Sequence, residues 1–295
     1  MCMVESFLSY LQADRGYSVR TIDTYRESLQ ALECFFKGLE DSLDWTTLDV
    51  DVVRCWMVSS MNGGKSTRTV AKDLAAVRSF YKYLLRMGSI KSDPVRLLRN
   101  PKVHSTLPTF LKQKEIDRLF DDVTFPNTPE GSRDRTILLT FYHTGVRVSE
   151  LTGLNLADID LSQDELKVTG KRNKQRIIPF GMELSGALRS YIASVGSSED
   201  NGRLTPLFHN GQGERITAQQ VRTVVKHYLS LVTTQKKKSP HVLRHTFATA
   251  MLNNGADLEA IKELLGHQSI TTTEVYTHTT FADLKKEYEQ AHPRA

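Results

Sequence analysis

Three prolines, at positions 94, 101 and 108, fall between Asp93 and Leu111 of this 295-residue chain. A proline lacks the amide that would bond one turn back, and its ring clashes with the preceding turn, so no helix continues through this stretch. Arg96, Arg99 and Lys102 make the stretch basic, and it reads as a linker between two separately folded parts. The expected division is a helical domain over 1–96, a linker over 97–108 and a larger domain over 109–295. A chain of this length suits two domains, each able to bury its own core.

The first part carries helical periodicity. From Ser18, the apolar positions Ile22, Tyr25, Leu29, Leu32 and Phe36 recur every three or four residues, which is one face of a helix. Ser18 is placed to cap it by accepting a bond from a free amide of its first turn. A second helix follows Ser66, with Val70, Leu74, Val77, Tyr81 and Leu84 on one face. Gly63 and Gly64 mark the turn before it and Gly88 its stop. The second part is mixed. Arg133 to His143 reads as a helix ending at Gly145, and Glu165–Thr169 and Gln175–Pro179 read as two short strands around a basic, turn-forming Gly-Lys-Arg-Asn-Lys. The remainder reads as mostly helical. No internal repeat is present.

Composition narrows the class. The net charge of +5 is spread over both parts rather than gathered in a tail, so a nucleic-acid surface has to come from clustering after folding. Cys2, Cys34 and Cys55 are odd in number and form no CxxC pair, which argues against a disulfide framework or a zinc site and for a reducing, cytoplasmic setting. The start, MCMVESFLSYLQADRG, has no basic region followed by a long apolar core, and no run approaches about 18 apolar residues. Neither a leader nor a membrane span is expected.

Four segments carry the chemistry: Thr144-Gly-Val-Arg-Val-Ser-Glu-Leu151, Gly170-Lys-Arg-Asn-Lys-Gln-Arg176, His241-Val-Leu-Arg-His245, and Leu265-Gly-His267 followed by Tyr276. Each is weak alone. In this order and at these separations, the set resembles the tyrosine site-specific recombinases, the phage integrase family, and within them the bacterial Xer recombinases. The resemblance covers nearly the whole chain. It implies a mainly α protein with a small β-sheet: an N-terminal helical, SAM-like core-binding domain and an α+β catalytic domain. It also implies two domains that clamp duplex DNA.

The physical reading of the segments agrees. Cutting a phosphodiester needs positive charge fixed at the non-bridging oxygens, where charge grows in the transition state. Arginine suits this because its planar fork gives two bonds to one phosphate and stays charged. Arg147 and Arg244 are the candidates, and the resemblance assigns the phosphate clamp to both. Glu150, three positions after Arg147, shares its face if the segment is helical. The family likeness gives it an orienting role, against the plainer reading of a surface ion pair.

His241 lies one turn before Arg244. The resemblance makes it a proton-transfer or phosphate-contacting residue, whereas a helix-capping histidine after Ser239-Pro240 is the alternative. His241 and His245 are four apart, but Val242 stands where a metalloprotease helix has glutamate, so no metal is expected. Lys171, in the presumed turn, takes the family's role of protonating the departing 5′ oxygen, a kind of help that contributes about 10²–10⁴-fold. Lys174 competes with it for that role. His267 is implied to donate a hydrogen bond to the scissile phosphate.

Tyr276 is one of 10 tyrosines and stands out only by following Leu265-Gly-His267 and a threonine-rich run. A phenol near pKa 10 is a poor nucleophile at neutral pH unless cations favour its phenolate. The resemblance makes Tyr276 the nucleophile of a 3′-phosphotyrosyl link to DNA. Lys236, Lys237 and Lys238 face DNA or lie in a solvated loop. Phe281, Leu284 and Tyr288 form a terminal stripe that docks on a neighbouring protomer, as in the family, or on its own domain.

The implied activity is DNA breakage and rejoining at a recombination site without metal, ATP or other cofactor. It proceeds in a homo- or heterotetramer with a second recombinase, in chromosome dimer resolution at cell division, with a septal DNA translocase as a further partner. Alternatives are a mobile-element integrase, a type IB topoisomerase and a catalytically inactive DNA-binding protein. The full set of Arg147, Lys171, His241, Arg244, His267 and Tyr276 argues against the last.

Overall fold

Ser18 and Ser66 start two long helices as their side chains lead one to expect. Each hydroxyl accepts from the amide three residues on, that of Thr21 at 3.3 Å and that of Thr69 at 3.1 Å. The computed structural model describes residues 2–38, 44–102, 109–170, 173–195, 205–266 and 281–294. The chain separates into two units, Met1–Thr106 and Leu107–Ala295.

The first unit contains α1 (Met3–Ala13), α2 (Val19–Lys37), α3 (Val50–Asn62) and α4 (Thr67–Arg86). The stripe read from the sequence faces inward: Ile22, Leu29, Leu32 and Phe36 of α2 and Val70, Leu74, Val77, Tyr81 and Leu84 of α4 are buried, while Tyr25 is half-buried. Phe7, Trp45, Trp56 and Phe80 complete the core. Gly88 takes φ +70° just beyond α4, a left-handed turn that glycine adopts without the Cβ clash other residues meet. The core does not stop at Pro94. Val95 and Leu98 pack into it, and Arg78 donates to the Leu98 carbonyl and to Asn100. Helix α4 has already ended at Arg86, and the apolar residues after Pro94 still find a place in this core.

The second unit begins with α5 (Gln113–Asp117), α6 (Pro129–Thr144) and α7 (Val148–Gly153). A three-stranded antiparallel sheet follows, in the order β1 (Ile159–Asp160), β2 (Glu165–Thr169), β3 (Gln175–Pro179). The register pairs Leu166 with Ile178 and Val168 with Arg176. Then come α8 (Met182–Val195), α9 (Ala218–Val232), α10 (Pro240–Asn253), α11 (Leu258–Leu265) and α12 (Phe281–Ala291). Helix α6 runs through the middle, with Ile137, Leu138, Leu139 and Phe141 fully buried between α8 and α10. Among the described residues, no helix is long and apolar enough to cross a membrane.

The terminal helix α12 packs on its own unit. Tyr288 and Ala291 join the core, Leu284 is buried, and His292 just beyond the helix stacks on Tyr288 and His143. Leu284 and Tyr288 of the terminal stripe thus pack within their own unit, while the Phe281 side chain lies outside the described residues.

Candidate functional site

Helix α6 ends because Gly145 turns left-handed, at φ +59°, with its amide bonded to the Phe141 carbonyl at 3.0 Å. A Cβ at Gly145 would stand 2.5 Å from the Phe247 ring and 2.8 Å from a Leu265 methyl. Glycine therefore lets the turn lie against α10 and α11. Two residues on, Arg147 has extended backbone and is the residue just before α7, not within it. Glu150, third in the helix, reaches back and accepts from the Arg147 amide at 2.8 Å. Arg147 and Glu150 are thus brought together by a helix start rather than by a shared helical face, because the tight turn at Gly145 delays α7 to Val148.

Glu150 is 2% exposed through its side chain and receives four hydrogen bonds. Besides the Arg147 amide, they come from Arg147 Nη1 at 2.8 Å and from Arg176 Nη1 and Nη2 at 3.0 Å each. Arg176 of β3 meets the carboxylate fork to fork. Burial pushes the Glu150 carboxyl up. The bonds from Arg176 and from the Arg147 amide and side chain outweigh that and hold it below the usual carboxylate range. It is therefore ionised at neutral pH.

Three guanidinium groups converge on the end of α11. Arg176 Nε donates to the Leu264 carbonyl at 2.7 Å, Arg244 Nη2 to Leu265 at 2.7 Å, and Arg147 Nη2 to Gly266 at 3.2 Å. Arg244 Nη1 also donates to the Gly145 carbonyl. The last carbonyls of a helix have no partner within it and carry its negative end, so cations are favoured there. Gly266 ends the helix at φ +63°, as its position after Leu265 suggests. Arg244 is buried in α10. Desolvation, then repulsion from Arg147, lowers its pKa to about 10, which leaves it charged at neutral pH.

Among the described residues, three guanidiniums against one carboxylate leave a surplus of positive charge, with Arg147 the most open of the three at 36% exposure. Such a cluster binds an oxyanion and stabilises charge developing on it. His241, exposed in the first turn of α10, lies close enough to His245 to help lower the pKa of that ring, after burial and ahead of Arg244. Lys174 is exposed at the end of the β2–β3 turn, where its carbonyl accepts from the Gly170 amide at 2.7 Å. Lys236 and Lys237 are exposed and Lys238 half-buried in the loop before α10, beside Gln235, whose side chain donates to the Phe110 carbonyl. Lys171, His267 and Tyr276 lie outside the described residues. Among the described residues, no group of three His, Cys, Asp or Glu side chains is placed to hold a metal ion.

Arg176 is the residue that sequence reasoning passed over. It closes the second of the four segments yet was given no role. The available signal was parity: it lies two residues before the buried Ile178, on the inward face of β3, opposite the buried Val168. An arginine in phase with a strand's buried positions needs a buried partner.

The comparisons with known proteins point one way. The family described as "Phage integrase family" matches residues 109–283, and "Phage integrase, N-terminal SAM-like domain" matches residues 4–88. A Chlorobaculum tepidum protein named tyrosine recombinase XerC is 39% identical, over 98% of this chain and 94% of its own. Its Bacillus subtilis namesake is 37% identical, over 99% and 96%. Among solved structures, the Tn1549 transposon integrase in complex with transposon right end DNA superposes with a TM-score of 0.74 at 20% identity, covering 98% of this chain and 99% of that one. The XerH site-specific recombinase bound to palindromic difH substrate, a post-cleavage complex, gives 0.72 at 21% identity, covering 97% and 84%. These two likenesses speak to the fold.

Proposed function

We infer the function from the family to which this chain belongs: it is a member of the phage integrase family and a tyrosine recombinase. It breaks and rejoins DNA, and its relatives named XerC place it with the Xer recombinases. The observation that carries the mechanism is the convergence of Arg147, Arg176 and Arg244 on the end of α11 around one buried carboxylate.

In the reaction we propose, the scissile phosphate sits against Arg147 and Arg244, which bind its non-bridging oxygens. Arg147 is presented to solvent by its bond to Glu150, and Arg244 keeps its charge despite burial. The Tyr276 phenolate attacks phosphorus, the bond to the 5′ oxygen breaks, and that oxygen takes a proton from Lys171. The product is a 3′-phosphotyrosyl bond and a free 5′ hydroxyl. His241 and His267 donate to or exchange protons at the same phosphate. A 5′ hydroxyl from a partner duplex then attacks the linkage and releases Tyr276. The phosphotyrosyl bond keeps the energy of the phosphodiester, so this chemistry requires neither ATP nor a metal.

At the level of the cell, the reading is resolution of chromosome dimers in the cytoplasm. Two copies of this chain and two of a second recombinase, or four of one kind, act on a recombination site, with a septal DNA translocase as regulator. Lys236, Lys237, Lys238 and Lys174 add phosphate contacts that hold the duplex without reading its bases.

The test is a nicked suicide substrate, from which the cleaved fragment diffuses away and leaves protein attached to DNA. Wild-type protein accumulates the covalent complex, and Tyr276→Phe binds the same DNA with no capture. Capture by the phenylalanine variant would overturn the assignment.

A further inference from the structure

We propose that Arg176 is a positioning residue for strand cleavage, which fixes the aim of Arg147 through Glu150 and the end of α11 through the Leu264 carbonyl. The inference rests on the reading of Arg147 and Arg244 as the phosphate ligands.

Three of the five N–H donors of Arg176 are committed, Nε to Leu264 and one from each terminal nitrogen to Glu150. Its side chain is 14% exposed. An arginine tied up in this way does not wrap a phosphate. It orients its neighbours instead. The fork from Arg176 fixes the plane of the Glu150 carboxylate, and Oε1 then lies where Arg147 Nη1 meets it at 2.8 Å. The other arm of Arg147 meets Gly266, two residues past the carbonyl that Arg176 holds. Both anchors of the half-buried Arg147 guanidinium are therefore set by Arg176.

The surrounding glycines fit this role. A Cβ at Gly266 would lie 3.0 Å from Arg176 Nη1 and 3.2 Å from its Cζ, so the guanidinium packs on bare backbone. A Cβ at Gly170 would lie 3.4 Å from Glu150 Oε1. Bare backbone flanks the ion pair on two sides, one in the turn that leads to Lys171 and one in the residue before His267. Arg176 thus links the segments that hold Glu150, Gly170 and Gly266.

Misplacing a reacting group by about 1 Å costs on the order of 10²-fold in rate. DNA affinity, spread over many phosphates, should hardly respond. The experiment measures single-turnover covalent capture on a saturating suicide substrate, with DNA affinity by gel shift and folding by far-UV circular dichroism. Arg176→Ala is expected to capture about 10²-fold more slowly while binding DNA like wild type. Arg176→Lys is expected to remain slow, because an ammonium cannot fork across a carboxylate and also reach Leu264. Added guanidinium ion should speed the alanine variant and leave wild type unchanged. The pH–rate profile of Arg176→Ala should fall off at a higher pH than that of wild type, since Glu150 has lost two donors that favour its ionised form. Glu150→Gln combined with Arg176→Ala should lack that acid limb.

If the alanine variant does not fold, the lysine variant decides. A lysine variant as fast as wild type overturns the proposal, as does an alanine variant with equal losses in capture and binding or with an unmoved pH profile. Failure of wild type itself to capture DNA would count against the recombinase reading instead.

Discussion

Arg244 serves two ends at once. Its bonds to the Gly145 and Leu265 carbonyls join the end of α6 to the end of α11, and its charge is the one proposed to hold the phosphate. Hydrogen bonds involving a charged group contribute about 1.5–3 kcal/mol each, so Arg244→Ala is expected to lower the melting temperature as well as activity. The two effects separate at a temperature where the variant is folded. There, capture should fall by about 10²–10³-fold with DNA affinity changed far less, and equal losses would argue against a transition-state role. Arg147 and Arg244 were legible in the sequence because each sits in a short segment whose pattern is local. Arg176 was not. Its partners Glu150 and Leu264 are 26 and 88 residues away, so its role exists only after folding.

Local signals also governed which elements could be read. Ser18, Ser66, Gly145 and Gly266 act through bonds or turns within a few residues, and the two strands predicted over 165–169 and 175–179 form with those bounds. At Gly266 the turn and the close packing combine. Gly266→Ala adds a Cβ at φ +63° and 3.0 Å from Arg176, and should cost about 1–2 kcal/mol with a loss of capture. Unchanged thermal stability and rate would contradict the packing described.

The docking of α12 was not legible, because an apolar stripe of Leu284 and Tyr288 looks the same whichever surface receives it. On its own unit it brings His292 beside His143, with His292 Nε2 3.2 Å from the Tyr142 carbonyl and His143 Nδ1 3.1 Å from the Tyr288 hydroxyl. Burial, then the neighbouring His143, lowers the His292 pKa to about 3, with the Tyr142 carbonyl only partly offsetting this. The folded state thus stays neutral at His292 while the unfolded chain takes up a proton below about pH 6.5. This contribution to stability is full above that pH and is lost as pH falls toward 3, by at most about 1.4 kcal/mol per unit. Buried His143, also lowered, acts in the same direction. Melting temperature should therefore drop between pH 7 and pH 5, and His292→Phe should flatten the slope. An equal slope in both proteins would contradict the linkage.

On the scale of the whole molecule, the proline-rich stretch announced two units, and two separate cores are present. How far the first core extends was hidden, because Leu98 lies in the stretch over 97–108 that reads as linker. Both tryptophans, Trp45 and Trp56, belong to the first core. Tryptophan fluorescence then follows the first unit alone, while circular dichroism follows both. Phe247→Ala, which opens a cavity in the second core, should destabilise that unit by about 3–5 kcal/mol and shift the dichroism transition without moving the fluorescence one. Coincident shifts would mean that the units unfold together. DNA binding by a chain with this charge should weaken steeply with salt, as counterions displaced by Lys and Arg return. In the proposed reaction this molecule joins itself to DNA through Tyr276. The most direct test is mass spectrometry of peptides from the wild-type covalent complex on a nicked suicide substrate. The expected result is a nucleotide adduct on Tyr276, and an adduct on any other residue would contradict that assignment.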